Sequence, residues 1–162
     1  MCIQLAIQSS LAVAGTRKRL HVYSNPTPRL FVVDDEPNIA ATLVTILRMN
    51  GYSARFFTRP TEALAAARHD SPDVLISDVN MPVLTGIELA LLMKAQYPDL
   101  KILLLSGQMA SRDLLEHTLT RGYDFPLLMK PVHPSELLLR LGKLMVMHSL
   151  DIVRSRGQGL PG

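Results

Sequence analysis

From Arg29 onward, short apolar runs alternate with amphipathic stretches. Leu30 to Val33 is a compact apolar run ending at Asp34 and Asp35, and Ile39, Leu43, Ile46 and Leu47 follow at the i, i+4, i+7, i+8 spacing of one helical face. That pattern predicts a strand and then a helix. Asn50-Gly51 stops the helix with residues that tolerate a left-handed backbone, and Ser53 to Phe57 reads as a second strand. A helix over about Pro60 to Arg68 ends before Pro72, and a third strand, Val74 to Ile76, leads into Asp78. Gly86 to Gln96 gives a third helix, Ile102 to Leu105 a fourth strand ending at Ser106, and Ser111 to Arg121 a fourth helix. Leu127 to Met129 is a short fifth strand, after which Pro134, suited to a first helical turn, opens a fifth helix reaching at least Met147.

Nearly continuous apolar strands are buried on both faces, and right-handed crossovers place helices there. The pattern therefore predicts an α/β fold, a doubly wound parallel sheet of five strands with five helices. Residues 29–148 form the domain. Residues 1–28 read as a disordered tail, with Pro26 and Pro28 marking the linker, and 149–162 as a C-terminal tail.

Composition supports one soluble domain. The chain has 162 residues, 48% hydrophobic and 19% charged, enough apolar material for a core without a disordered-protein signature. Its single cysteine, Cys2, excludes an internal disulfide framework or a cysteine zinc cage and suits a reducing, cytoplasmic setting. No run of 18 apolar residues is present, so no membrane span is expected. The net charge of +3 is misleading for nucleic acid, because residues 1–28 carry +3 and 149–162 carry +1, leaving 29–148 at −1. That placement offers no basic stripe for DNA. Gly157, Gly159 and Gly162 spell a dinucleotide-binding pattern by letters alone, but no strand precedes them and no helix follows.

Polar residues stand where the strands end: Asp34 and Asp35 after the first, Asp78 after the third, Ser106 after the fourth and Lys130 after the fifth. In a doubly wound sheet such residues gather in the crevice at the carboxyl ends of the strands. Carboxylates about 4 Å apart repel by roughly 4 kcal/mol per pair at an effective dielectric near 20, so a cation belongs among them. An all-oxygen ligand set with open positions suits magnesium or manganese rather than zinc. With a lysine to neutralise phosphoryl oxygens and a serine to donate a hydrogen bond, the set is equipment for phosphoryl transfer. Singly, the same residues have plainer readings, Asp34-Asp35 as a helix cap and Asp78 as a turn residue.

These residues carry a resemblance to the receiver domain of bacterial two-component response regulators. The matching pieces are FVVDDEP at Phe31 to Pro37, LISDVNMPVLTG at Leu75 to Gly86, LLLSGQ at Leu103 to Gln108 and MKP at Met129 to Pro131. The resemblance implies a flavodoxin-like strand order of 2-1-3-4-5, with Asp78 as phosphoacceptor. It implies that Asp35 ligates Mg2+ directly, Asp34 through water or a hydrogen bond, and Asn80 through its backbone carbonyl. Ser106 is then the hydroxyl switch residue and Lys130 the phosphoryl clamp, with Pro131 after a cis peptide bond. A histidine kinase or phosphotransfer protein is the implied donor, and the chain accepts phosphate rather than turning over as an enzyme. The chain departs from the family pattern at Leu127, where Tyr or Phe is usual, and at Thr85, where Asp is frequent and the change is expected to matter little.

Only 14 residues follow His148, too few for a winged-helix or helix-turn-helix output domain, so the sequence reads as a stand-alone receiver that signals to a downstream protein by contact. The fifth helix, with Leu137, Leu138, Leu139, Leu141, Leu144, Met145, Val146 and Met147, has more apolar positions than one sheet-facing stripe needs. A homodimer through the fourth and fifth helices, or a docked partner, would cover the excess. The alternatives are a receiver fold kept as a phosphate-independent interaction module, an aspartyl-phosphate phosphatase and a flavin carrier. The phosphatase is disfavoured because Asp78 is followed by Val79-Asn80 rather than a D-x-D pair, and the flavin carrier because Asp34-Asp35-Glu36 would repel a flavin phosphate.

Overall fold

The computed structural model describes residues 27–107 and 122–156. Its elements are β1 (Arg29–Val33), α1 (Pro37–Met49), β2 (Ser53–Phe57), α2 (Pro60–Ala67), β3 (Val74–Asp78), α3 (Gly86–Gln96), β4 (Lys101–Ser106), β5 (Leu127–Met129) and α4 (Pro134–Arg156). All strands pair in parallel in one sheet of order β2-β1-β3-β4-β5. Four helices therefore stand among the described residues where five were expected, and the expected helix over Ser111 to Arg121 lies outside them. The same holds for Gln108, the segment 1–26 and residues 157–162.

Alternation along each strand sorts the core into two layers. Leu30, Val32, Val74, Ile76, Leu103, Leu105 and Leu128 turn to one face and pack with Leu43, Val44 and Leu47 of α1 and Leu137 and Leu141 of α4. Phe31, Val33, Leu75, Ile102 and Leu104 turn to the other, against Ala63 and Ala67 of α2 and Ile87, Ala90 and Met93 of α3. β3, central in the sheet, is buried at all five positions.

Local chemistry sets the element ends. Pro37 opens α1 at a position where no amide hydrogen is needed. The helix stops as Gly51 takes φ 85°, its N–H donating to the Arg48 carbonyl while that of Tyr52 reaches Leu47. The chain is thereby returned to start β2 beside β1. Asp78 and Ser106 are the last residues of β3 and β4, inside the ladder, so sheet hydrogen bonding fixes their backbones.

Candidate functional site

The site is built at the carboxyl end of the sheet. Asp34 follows β1, and its N–H donates to the Phe57 carbonyl of β2 at 3.2 Å. Its carboxylate is wholly buried, with Oδ1 accepting from the Glu36 N–H at 3.0 Å and Oδ2 from Lys130 Nζ at 2.8 Å. Lys130 also reaches Asp78 Oδ1 at 3.1 Å, so one ammonium joins the ends of β1, β3 and β5. Asp35 is exposed, and one carboxylate oxygen from each of Asp34, Asp35 and Asp78 lies within 4.8 Å of the others.

Sequence-distant groups are held in register by the backbone. Lys130 N–H donates to the Ser106 carbonyl at 2.7 Å, which ties Lys130 to the end of β4, and the Lys130-Pro131 bond is cis as the resemblance implied. Ser106 is fully buried. Asn80 is exposed between buried Val79 and buried Met81. Asp34, Asp78, Ser106 and Lys130 thus come together with Asp35, and Asn80 sits two residues beyond Asp78.

Burial is the main force on the Asp78 carboxyl and pushes it above the ordinary carboxylate range. The Lys130 hydrogen bond and charge pull it down, and Asp34 and Asp35 push it up further. Burial also pulls the Lys130 ammonium down, but its hydrogen bonds and attraction to Asp34 and Asp78 outweigh this and hold it above the usual lysine value. One lysine against three carboxylates leaves the pocket negative. The donor set is all oxygen, with Asp35 open to water, which fits a hard divalent cation such as Mg2+.

Three further residues shape the site. Thr85, where the sequence suggested little consequence, caps α3: Glu88 N–H donates to Thr85 Oγ1 at 3.2 Å and Thr85 N–H to Glu88 Oε2 at 2.9 Å. Hydrogen bonds donated to the Glu88 carboxylate by the Thr85 N–H and by the Thr85 hydroxyl hold it below its usual value. The T-x-x-E spacing was the legible signal. Gly86 packs directly on Asp78, where a Cβ would overlap the Asp78 carbonyl oxygen and stand 2.8 Å from Ser77 Oγ. Ser77, fully buried, donates from Oγ to that same carbonyl at 3.1 Å.

Known proteins share this sequence pattern and this fold. A family model described as the response regulator receiver domain matches residues 30–142. The transcriptional regulatory protein PrrA of Mycobacterium tuberculosis is 31% identical over 119 residues, covering 74% of this chain and 50% of PrrA. CreB of Escherichia coli, also a transcriptional regulatory protein, is 34% identical over 116 residues, covering 72% of this chain and 50% of CreB. The chain spans about half the length of these curated relatives. Among solved structures, a CheY-like receiver domain protein from Methanospirillum hungatei superposes with TM-score 0.69 at 27% identity, covering 76% of this chain and 98% of its own. The chemotaxis protein CheY4 of Vibrio cholerae gives TM-score 0.66 at 31% identity, covering 73% and 98%.

Proposed function

The chain belongs to the response regulator receiver domain family, and from that premise we propose that it takes a phosphoryl group from a histidine kinase or phosphotransfer protein onto Asp78. The observation that carries this reading is the bridging of Asp34 and Asp78 by Lys130 beside a third carboxylate, Asp35. In this reading Asp34, Asp35, Asp78 and the Asn80 backbone carbonyl hold Mg2+. When bound, the ion supplies positive charge against the oxygens of the transferring group.

The chain's own residues do the rest. A carboxylate oxygen of Asp78 attacks phosphorus in line as the phosphorus–nitrogen bond to the donor imidazole breaks, the bonding electrons staying on the ring nitrogen. An acyl phosphate forms on Asp78. The fixed β3 end supplies orientation, which is most of what a carboxylate nucleophile needs here. Lys130 exchanges Asp78 for a phosphoryl oxygen, and the Ser106 hydroxyl donates to another. That contact draws the end of β4 inward and biases a two-state equilibrium of the surrounding segments. The chain is a phosphoacceptor and not a turnover enzyme.

Output passes by protein contact in the cytoplasm, to a downstream target or a second copy. Met129, Leu139 and Val146 are exposed apolar residues on β5 and α4 that suit such contact. No helix among the described residues is long and apolar enough to cross a membrane. The test is incubation with a panel of autophosphorylated histidine kinases. Label should move to the wild-type chain and not to Asp78→Ala, and transfer to both alike would refute Asp78 as acceptor.

A further inference from the structure

Four polar side chains are buried among the described residues, Asp34, Ser77, Asp78 and Ser106, and the phosphoryl-transfer reading uses all of them except Ser77. β3 is buried at all five positions, where a β-branched hydrocarbon fits best and a hydroxyl costs free energy unless it is paired. The pairing is made one residue on: Ser77 Oγ donates to the Asp78 carbonyl at 3.1 Å.

That carbonyl belongs to the peptide unit that leaves Asp78. The register of β3 with β1 runs only as far as Val33↔Ser77, one residue short of it. On the other side β3 stays paired with β4 through Asp78↔Leu105, and the N–H of the same peptide unit, that of Val79, donates to the Leu105 carbonyl at 2.8 Å. The unit is thus held at its nitrogen by β4 and at its oxygen by Ser77. The Val79 carbonyl accepts from Gly86 N–H at 3.0 Å, which sets the first residue of α3 against Asp78. A Cβ on Gly86 would stand 2.8 Å from Ser77 Oγ, so the hydroxyl is packed on α3 as well as bonded. With this peptide plane fixed, the Asp78 side chain leaves the strand in a set direction, and its Oδ1 lies 3.1 Å from Lys130 Nζ.

Resting on the receiver reading above, we propose that Ser77 is a positioning residue for phosphoryl transfer, its hydroxyl holding the Asp78 peptide so that the carboxylate meets phosphorus in line. Successive side chains leave opposite faces of a strand, so Ser77 acts on Asp78 through the backbone and not by touching the transferring group. A nucleophile freed to swing loses rate, because in-line attack depends on orientation, while the groups that bind donor and metal are unchanged. Ser77 therefore sets the rate constant of transfer and leaves donor binding alone.

The test compares the full wild-type chain with Ser77→Ala, Ser77→Cys and Ser77→Thr. Threonine keeps the hydroxyl, whereas cysteine fills the space but donates only weakly. For each, the limiting rate of phosphorylation by acetyl phosphate at saturating Mg2+, the KM for acetyl phosphate, Mg2+ affinity and hydrogen exchange at the Val79 amide are measured, with rates expressed per folded molecule from thermal melts. Ser77→Ala and Ser77→Cys should lower the limiting rate about tenfold, with KM and Mg2+ affinity within about twofold of wild type. The Val79 amide should exchange faster in both, and Ser77→Thr should keep most of the wild-type rate. A limiting rate in Ser77→Ala within about twofold of wild type overturns the proposal, whatever the melting temperature. So does a rate in Ser77→Thr as low as in Ser77→Ala, or full recovery in Ser77→Cys, since packing and not the hydrogen bond then sets it. A normally phosphorylated wild type with a flat series defeats the positioning role alone, whereas no phosphorylation of the wild type defeats the receiver reading with it.

Discussion

Gly86 lies so close to Asp78 that a Cβ on the glycine would overlap the aspartate's carbonyl oxygen and stand 2.8 Å from its carbonyl carbon. The first residue of α3 is therefore the wall against which the proposed acceptor is set. Gly86→Ala should destabilise the fold by roughly 1–3 kcal/mol, as expected for overpacking a rigid backbone contact. It should also slow phosphorylation of the protein that remains folded. Urea melts paired with acetyl phosphate kinetics check both effects, and wild-type values in both would show that α3 yields without disturbing Asp78.

Lys130 joins two buried carboxylates, so removing it leaves both without their cation. Lys130→Ala should cost on the order of 2–4 kcal/mol, less than a fully dry ion pair because the lysine side chain keeps 16% of its exposure. Added Mg2+ should restore part of that loss by replacing the missing charge. Melting with and without Mg2+ measures both.

The pH dependence follows from the two raised groups. Asp78 binds its proton more tightly in the fold than in the unfolded chain, so its ionisation opposes folding. Its contribution improves as pH falls through the raised folded value towards about 3.9, the ordinary aspartate value, and is level below that. At neutral pH, Asp78→Asn should therefore be as stable as wild type or more so. Mg2+ affinity should fall in acid beginning above pH 3.9, since the ion needs the carboxylate. Lys130 behaves oppositely: its stabilisation is complete below about pH 10.4 and is lost as pH rises through its raised folded value. Difference melts of wild type against Asp78→Asn and Lys130→Ala across pH isolate each contribution.

Much of this architecture was legible because the strands are apolar runs with chemistry at their ends. Leu30 to Val33 and Ile102 to Leu105 announce buried strands, and the polar residues just beyond mark the crevice. Sequence spacing could not show that Lys130 touches Asp34 across 96 positions, because the contact is made by sheet order. Nor could it show Gly86 against Asp78, since a glycine after a proline-containing turn reads equally as turn chemistry. The T-x-x-E cap that Thr85 makes with Glu88 was present in the letters, but comparison with the family position alone does not reveal it. The left-handed Val83, with φ 71°, had no signal at all, as valine is the residue a sequence reader would place there last.

The capping box has its own test. Thr85→Ala removes the side-chain acceptor for the Glu88 amide and should cost about 1 kcal/mol of stability. Thr85→Asp or Thr85→Ser, which keep an acceptor, should retain most of it. Equal losses in all three variants would assign the effect to packing and not to the cap.

Leu127 is half-buried against the core, and nearby Tyr123 and Phe125 stack with centroids 5.5 Å apart, Phe125 being buried. With no ring at position 127 to rotate, activation should appear as backbone displacement between Ser106 and Leu127. A structure activated with beryllium fluoride and Mg2+ checks this, and an unmoved segment would contradict it.

Intact mass after incubation with acetyl phosphate reads out whether Asp78 accepts a phosphoryl group in a metal-dependent pocket. The wild-type chain should gain one phosphoryl group only when Mg2+ is present, and Asp78→Ala should gain none. No addition in the presence of Mg2+, or an equal addition to Asp78→Ala, would contradict it.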